Sequence, residues 1–248
     1  MSEWFKEWFA SSEYLQIYNH RDDNDAAQLC GLIREFVPLG KDTRLMDFAC
    51  GSGRHANIFA SYGCSVFAFD LSRNLLNIAR KKTSMLGLKV NYFCCDIRRP
   101  AFRCSSFDVA TNLFTSFGYF QNPEENFAIF DKAYACLKKG GYFVFDYMNP
   151  VYLTSSLKSE TIGNKGGKMV IQRRKIQDGR VIKSIVIKDN VQEKSYTESV
   201  ALYEKQCIVS EFEKRGFAVT HLFGDYMKSE FVECTSPRII IIARKLYA

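Results

Sequence analysis

The run Leu45-Met46-Asp47-Phe48-Ala49-Cys50-Gly51-Ser52-Gly53-Arg54-His55-Ala56 reads as a short apolar strand entering a glycine-rich turn that opens a helix. Glycine permits close approach of backbone to a ligand and unusual dihedrals, while amides at a helix start offer donors to a carboxylate or phosphate. Seventeen residues beyond Gly53, at the end of a second strand, stands Asp70, whose carboxylate can accept both hydroxyls of a ribose. A third strand ends in Cys95-Asp96-Ile97, where Asp96 can bond an adenine amino group, and a fourth ends in Asn112-Leu113-Phe114 facing the same crevice. The set fits a nucleoside ligand. Gly51-x-Gly53-x-x-Ala56 alone also satisfies the relaxed dinucleotide pattern, so a nicotinamide-dependent oxidoreductase stays open at this point.

The elements that must position these groups alternate strand and helix from Arg44 to Asp146, the signature of βαβ units and a parallel sheet. Strands are expected at Arg44 to Phe48, Ser65 to Phe69, Lys89 to Cys94, Phe107 to Asn112 and Tyr142 to Phe145. Ser72 stands where an N-cap belongs before Leu75, Leu76, Ile78 and Ala79, and Gly87 closes that helix. Pro123 opens another, with Phe127, Phe130, Ala133, Tyr134 and Leu137 on its buried face and Gly140-Gly141 at its end.

After Pro150 the pattern changes. Lys168 to Gln177 and Arg180 to Asn190 are β-like and flank Asp178-Gly179, a strong two-residue hairpin signal, and a third such run spans Lys194 to Lys205. Residues 151–206 therefore read as a small antiparallel β insertion, since no adequate helix separates the runs. The parallel fold resumes with a short helix near Val209 to Arg215, a strand from Phe217 to Phe223 and a last one from Arg238 to Lys245. Residues 1–36 read as a helical segment, with Tyr14, Ile17 and Tyr18 on a common side. The organisation expected is 1–36, then a cofactor-binding domain of 37–150 and 207–248, interrupted by 151–206.

Composition bounds the alternatives. The 248 residues are 47% hydrophobic and 25% charged, close to ordinary globular usage, which disfavours disorder, collagen-like repeats and coiled coil. The longest strongly apolar run near the C-terminus, Ile239 to Ala243, falls far short of the roughly 20 residues of a membrane span. Trp4-Phe5-Lys6-Glu7-Trp8-Phe9 does not read as a signal peptide, so a cytoplasmic location is expected. No pair among the nine cysteines has C-x-x-C spacing; they read as reduced and mostly buried, with no metal. The net charge of +7 would suit nucleic acid, but its basic residues are interleaved with acids over much of the chain.

The ordered set of Asp47 to Gly53, Asp70, Asp96 and Asn112 to Phe114, followed by Leu137-Lys138-Lys139-Gly140-Gly141 and Ser236 to Lys245, resembles the class I S-adenosylmethionine-dependent methyltransferases. The match covers about residues 42–146 and the last 40 or so. The resemblance implies an α/β, Rossmann-like, mostly parallel seven-stranded sheet with an antiparallel last strand. It also implies S-adenosyl-L-methionine as cofactor, with Asp47, Ala49, Cys50, Gly51 and Gly53 around the methionine part. Asp70 and Leu71 would then serve the ribose, Asp96 and Ile97 the adenine, and Asn112 and Phe114 would border the crevice. Arg21 would reach the methionine carboxylate. Ala49 departs from the family, which commonly has its first glycine there; alanine is small enough that only a slight adjustment is expected.

Acceptor pocket candidates are Tyr18, His20, Tyr119, Asp146, Tyr147 and Tyr226; no catalytic residue can be assigned. Asp146 and Tyr147 leave the fifth strand at its C-terminal end, where open α/β sheets bind ligands. His55 is expected to pack or cap, and His221 to be structural. The fourth strand lacks the Asn/Asp-Pro-Pro-Tyr loop of base- and glutamine-amide-modifying relatives, and no Pro-Cys marks a cytosine-C5 nucleophile. A small-molecule O or N acceptor is the expected partner. An RNA-modifying enzyme and an inactive cofactor-binding module are the other readings. The insertion contains eleven Lys or Arg against six Asp or Glu, but it lacks an aromatic stacking series, so it is expected to cover the acceptor site rather than bind nucleic acid.

Overall fold

A computed structural model describes residues 3–18, 23–98, 104–189 and 191–247. Three helices come first: α1 (Trp4–Ala10), α2 (Ser12–Tyr18) and α3 (Asp23–Phe36). The βαβ series follows as β1 (Arg44–Phe48), α4 (Arg54–Ser61), β2 (Ser65–Asp70), α5 (Arg73–Met85), β3 (Val90–Cys94), β4 (Phe107–Asn112), α6 (Pro123–Cys136) and β5 (Leu137–Met148). Then come α7 (Pro150–Ser156), β6 (Glu160–Lys165), β7 (Lys168–Gln177), β8 (Arg180–Lys188) and β9 (Glu193–Ala201). The chain closes with α8 (Lys205–Lys214), β10 (Phe217–Phe223) and β11 (Arg238–Lys245).

Seven strands form one sheet in the order β10-β11-β5-β4-β1-β2-β3. The β1–β2, β1–β4, β2–β3 and β4–β5 pairs are parallel, and β11 runs antiparallel to both β5 and β10. Strand order reverses beside β1, so the C-terminal ends of β1 and β4 diverge there and leave a crevice. One buried apolar cluster holds Phe130, Phe143, Phe145, Phe212 and Ile241, and another holds Leu29, Ile33, Phe59, Leu76 and Ile240. Alternate residues of β11 fall into different clusters, as expected of a strand covered on both faces.

Caps fix the helix starts. The Ser72 side chain accepts from the Leu75 amide at 3.3 Å, and Asn122 accepts from Glu124 at 2.9 Å with Pro123 at the first helical position. Helix α6 ends one residue before Leu137, which begins β5 instead of closing the helix face. The β4–β5 register shifts between Phe107 and Val109, and Gly140 has φ +76°, so Lys138–Gly141 forms a bulge inside the strand. A Cβ at Gly141 would meet the carbonyl oxygens of Lys138 at 2.9 Å and Asp108 at 3.0 Å.

The insertion is a separate four-stranded antiparallel sheet, β6-β7-β8-β9. Its Asp178-Gly179 turn joins β7 and β8 with Gln177 opposite Arg180. Two elements carry weaker sequence signals: α7, marked only by Asn149-Pro150, and the polar strand β6. The N-terminal segment is helical over most of its described residues, and its helices divide between the two sheets. Trp8 of α1 and Ile17 of α2 pack with Val170, Ile185 and Ile187 of the small sheet, whereas Leu29 and Ile33 of α3 belong to the core of the large one.

The cysteines also differ from expectation: Cys30, Cys50, Cys64 and Cys136 are buried, Cys95 is half-buried, and Cys94, Cys104, Cys207 and Cys234 are exposed. Among the described residues no helix is long and apolar enough to cross a membrane, and no three His, Cys, Asp or Glu cluster to hold a metal ion.

Candidate active site

The turn after β1 is held by strand β2. The Cys50 amide donates to the Phe69 carbonyl at 2.9 Å, and the Gly51 amide donates to Asp70 Oδ2 at 2.8 Å. Asp70 Oδ1 accepts from the Ser72 amide at 2.8 Å, so one carboxylate fastens the turn and the start of α5 together. Backbone φ is +56° at Ala49, +55° at Gly51 and +78° at Gly53. The Ala49 value is a left-handed conformation that glycine adopts without cost; here an alanine carries the strain. At Gly51 an added Cβ would meet nothing within 4 Å, whereas at Gly53 it would run into the Tyr92 hydroxyl and lie 2.9 Å from the Ala79 Cβ. Gly51 thus opens space beside the turn, and Gly53 permits helix α4 to seat against α5 and β3.

Two adjoining cavities lie above this turn. The first, about 130 Å³, is lined by Ala49, Cys50, Gly51, Ser52, Arg54, His55, Asp70 and Phe114, with Phe9, Tyr14, Leu15 and Tyr18 of the N-terminal helices closing it. The second, about 60 Å³, is more apolar and is bordered by Leu71, Asp96, Ile97, Phe117, Phe120 and Ile129. They share Phe9, Ala49, Asp70, Ser116 and Tyr119. A polar lobe joined through a buried carboxylate to a flat apolar lobe suits a molecule with an amino-acid end, a ribose and a purine.

A third cavity, about 250 Å³, is lined by Trp4, Phe9, Tyr14, Phe114, Thr115, Tyr119, Met148, Glu198, Val200 and Arg238. It shares Phe9, Tyr14, Phe114 and Tyr119 with the first. The N-terminal helices, the loop after β4 and strand β9 of the insertion thus meet around one space. Hydrogen bonds tie these parts: Trp8 Nε1 donates to Glu198 at 2.7 Å, Tyr18 Oη at 2.6 Å, and the Ser72 hydroxyl to the Phe9 carbonyl at 2.8 Å.

Burial sets the electrostatics. Asp70 is 8% exposed, and its carboxyl is raised above the usual range by burial, against the hydrogen bonds from Ser72 and Gly51. Burial would also raise Asp96, but the hydrogen bonds from Arg98 outweigh it and hold that group below its ordinary value. Arg98 also pairs with Glu125 at 2.7 Å and Glu3 at 3.0 Å, joining α1 to the apolar lobe. Burial, helped by the Arg54 charge, pushes His55 down to about 3, so its imidazole is neutral near pH 7. Its Nε2 has no hydrogen-bond partner among the described residues, leaving an unsatisfied ring nitrogen in a residue that lines the first cavity.

Several expected site residues support the crevice from behind. Asp47 lines none of the three cavities; its Oδ1 accepts from Thr111 Oγ1 at 2.8 Å, and burial pushes its carboxyl up to about 7. Asn112 is fully buried, and its Nδ2 donates to the carbonyls of Phe48 at 3.3 Å and Ser116 at 3.1 Å, bridging β1 to the loop after β4. Gly53 packs beneath the turn. Asp146, Tyr147 and Tyr226 also line none of the three, because each is engaged in a contact that shapes the walls. Asp146 Oδ2 accepts from the Phe114 amide at 2.8 Å and Tyr226 Oη at 3.1 Å, and Oδ1 pairs with Arg238 at 2.7 Å. The Tyr147 hydroxyl donates to the Ala201 carbonyl, pinning β9 to β5. Burial, reinforced by the Asp146 charge, drives the Tyr226 phenol well above its ordinary value. Tyr18 and Tyr119 do line cavities, and His20 and Arg21 lie outside the described residues.

Sequence reasoning missed Trp4, Phe9, Tyr14, Glu198 and Arg238. Only the density of aromatic residues between Trp4 and Tyr18 could have pointed to the first three, and nothing local marks Glu198.

The chain is similar to known methyltransferases in part of its sequence and in its fold. Residues 45–141 match the family model for a methyltransferase domain. A Geobacillus sp. (strain WCH70) protein named as a methyltransferase is 33% identical over 103 residues, 42% of this chain and 41% of that protein. The matched stretch thus spans about two fifths of that relative. The crystal structure of an S-adenosylmethionine-dependent methyltransferase from Clostridium acetobutylicum superposes with a TM-score of 0.80 at 20% identity, covering 95% of this chain and 98% of that one. An S-adenosylmethionine-bound amino pentose methyltransferase from Micromonospora echinaspora superposes with a TM-score of 0.70 at 21% identity, covering 95% and 97%.

Proposed function

We propose that this chain, whose residues 45–141 match the methyltransferase-domain model, is a class I, S-adenosylmethionine-dependent methyltransferase that transfers the cofactor's methyl group to an oxygen or nitrogen of a small molecule by direct in-line displacement. One observation carries the reading: the cavity at the glycine turn and the larger one beside β9 share the walls Phe9, Tyr14, Phe114 and Tyr119, so donor and acceptor spaces adjoin. The structurally similar amino pentose methyltransferase acts on a small molecule, which supports the same scale of acceptor here.

In this reading the Gly51 region, Ser52 and His55 receive the amino-acid end, Asp70 the ribose, and Asp96, Leu71 and Ile97 the adenine. Bound S-adenosylmethionine supplies a methyl carbon already electrophilic through its sulfonium, and its sulfur departs with the C–S bonding pair. The chain's own task is alignment and exclusion of water. Fixing two reactants in line can supply up to about 7 to 11 kcal/mol of barrier reduction. The His55 imidazole, neutral near pH 7, brings no positive charge to that cavity. A general base is required only where the acceptor atom must lose its proton.

Calorimetric titration with S-adenosylmethionine, S-adenosylhomocysteine and the nicotinamide dinucleotides tests the donor. Saturable binding of the first two alone is expected, and preference for a dinucleotide would overturn it. A screen of small amines, phenols and acids with methyl-labelled cofactor then tests the transfer. Label entering RNA alone would overturn the small-molecule part.

A further inference from the structure

The cavity beside β9 is lined by two hydrogen-bond donors that the fold leaves with spare capacity. The Arg238 guanidinium spends its Nε and Nη2 donors within the fold: Nε donates to Asp146 Oδ1 at 2.8 Å, and Nη2 reaches the same oxygen at 2.7 Å and Thr115 Oγ1 at 3.0 Å. Its Nη1, with two further N–H groups, has no bonded partner among the described residues, and the side chain keeps 19% of its surface accessible in a residue that lines the cavity. Trp4 lines the same cavity, and its buried indole Nε1 also lacks a partner among the described residues. A buried donor left unmade costs free energy that a ligand oxygen would recover.

Among the described residues, the one carboxylate lining this space is already engaged. Glu198 Oε1 accepts from Trp8 Nε1 at 2.7 Å and Tyr18 Oη at 2.6 Å, while Oε2 pairs with Lys183 at 3.2 Å. Its charge is matched and its hydrogen-bonding capacity largely used, so it neither repels an anion strongly nor stands ready for a cation. What the lining adds is a set of aromatic walls with these two donors, and Arg238 also feels the charges of Asp146 and Asp25.

We infer that the acceptor is a small, largely apolar molecule carrying a carboxylate or comparable anionic oxygen group, held by Arg238 Nη1 with Trp4 Nε1 as second donor. This rests on the methyl-transfer reading and narrows it: the anionic group is the handle, and the nucleophilic oxygen or nitrogen is a different atom of the same molecule. Arginine suits this role because its rigid planar guanidinium keeps the Nη1 donors available while Nε and Nη2 stay paired.

Benzoate, benzamide and benzylammonium, alike in ring and different in headgroup, are titrated separately into the full chain with and without saturating S-adenosylhomocysteine, followed by ligand-observed NMR. Benzoate is expected to bind at least tenfold more tightly than either of the others. Arg238→Lys keeps a cation for Asp146 but loses the Nη1 donors, and should weaken benzoate at least tenfold; Trp4→Phe keeps a ring and should weaken it threefold or more. Both variants should hold S-adenosylhomocysteine within threefold of the parent, which also reports that they fold. Preference for benzylammonium, equal binding of benzoate and benzamide, no binding of any probe, or benzoate affinity unmoved in a folded Arg238→Lys protein would each overturn the inference. Failure of S-adenosylhomocysteine to bind the parent chain would strike the methyl-transfer reading instead, while the cofactor-free benzoate titration still reads the site.

Discussion

Asp70 and Gly51 are joined by a hydrogen bond of 2.8 Å from the glycine amide to the carboxylate, so the group proposed to hold a ribose also holds the glycine turn. Removing it should act twice. Asp70→Ala is expected to weaken S-adenosylmethionine by roughly 1.5 to 3 kcal/mol, the range for hydrogen bonds to a charged acceptor, and to lower unfolding free energy by about 1 to 3 kcal/mol because the Gly51 and Ser72 amides lose their acceptor. Calorimetry and urea unfolding read the two effects separately. An unchanged dissociation constant in a folded variant would show that the ribose partner lies elsewhere.

The left-handed backbone at Ala49 predicts a substitution that stabilises. A non-glycine residue there costs roughly 1 to 2 kcal/mol, partly offset by the greater unfolded-state freedom of glycine, so Ala49→Gly should raise unfolding free energy by up to about 1 kcal/mol. The urea midpoint should rise with an unchanged slope. A lower midpoint would show that the alanine methyl contributes more through packing than its dihedral costs.

The two glycines of the turn should behave differently. Gly51→Ala meets open space and suffers only its dihedral, a loss of about 1 kcal/mol, although its methyl narrows the cavity and should weaken cofactor binding. Gly53→Ala drives a methyl into the Tyr92 hydroxyl and the Ala79 side chain, and should cost about 2 to 4 kcal/mol in stability. Equal losses in thermal and urea unfolding would refute this division of labour.

Much of the fold was legible because its signals are local. Strand β4 at Phe107–Asn112, the hairpin at Asp178-Gly179 and the cap at Ser72 follow from alternation, turn chemistry and a side-chain acceptor. The cavities proposed for the donor were legible in part for a related reason: Ala49, Cys50, Gly51, Asp70 and Asp96 sit at or next to strand ends, where topology alone brings them together. Asp146 and Tyr147 also end a strand, but whether a side chain enters a cavity depends on its partner. Here the partners are Arg238 and the Ala201 carbonyl, 92 and 54 residues away. Glu198 was invisible for the same reason, since its meaning comes from Trp8, 190 residues earlier.

Asp47 predicts a pH dependence of stability. Its folded carboxyl is pushed up to about 7, against about 3.9 in an unfolded chain, so the folded state holds the proton more tightly. Its contribution is fully present below about pH 4 and is lost as pH rises towards 7, by up to about 4 kcal/mol. His55, pushed down to about 3, works in the opposite sense, being destabilising as pH falls below about 6.5, so the parent curve alone would show partial cancellation. Asp47→Asn isolates the carboxyl: relative to that variant, the parent should lose stability between pH 4 and pH 7. A difference that is flat with pH would mean that Asp47 ionises normally.

The lid depends on Glu198. Its carboxylate takes hydrogen bonds from Trp8 and Tyr18 and an ion pair from Lys183, so it ties α1 and α2 to the insertion. Glu198→Ala leaves the Trp8 indole N–H and the Lys183 ammonium without that acceptor, a cost of about 1 to 3 kcal/mol falling on the docked helices. Since Phe9, Tyr14 and Tyr18 close the donor cavity, S-adenosylmethionine affinity should fall by about tenfold or more, or 1.4 kcal/mol, while the large sheet stays intact. Amide exchange should quicken across residues 4–18 and remain slow in β1, β4 and β5. Deleting residues 151–206 is harsher, because it also removes the buried Val181 and Val200 and the Ala201 carbonyl that receives Tyr147. Cofactor affinity should therefore drop further in the deletion than in Glu198→Ala. Unchanged exchange over residues 4–18 in Glu198→Ala would show that the helices are held by their aromatic contacts alone.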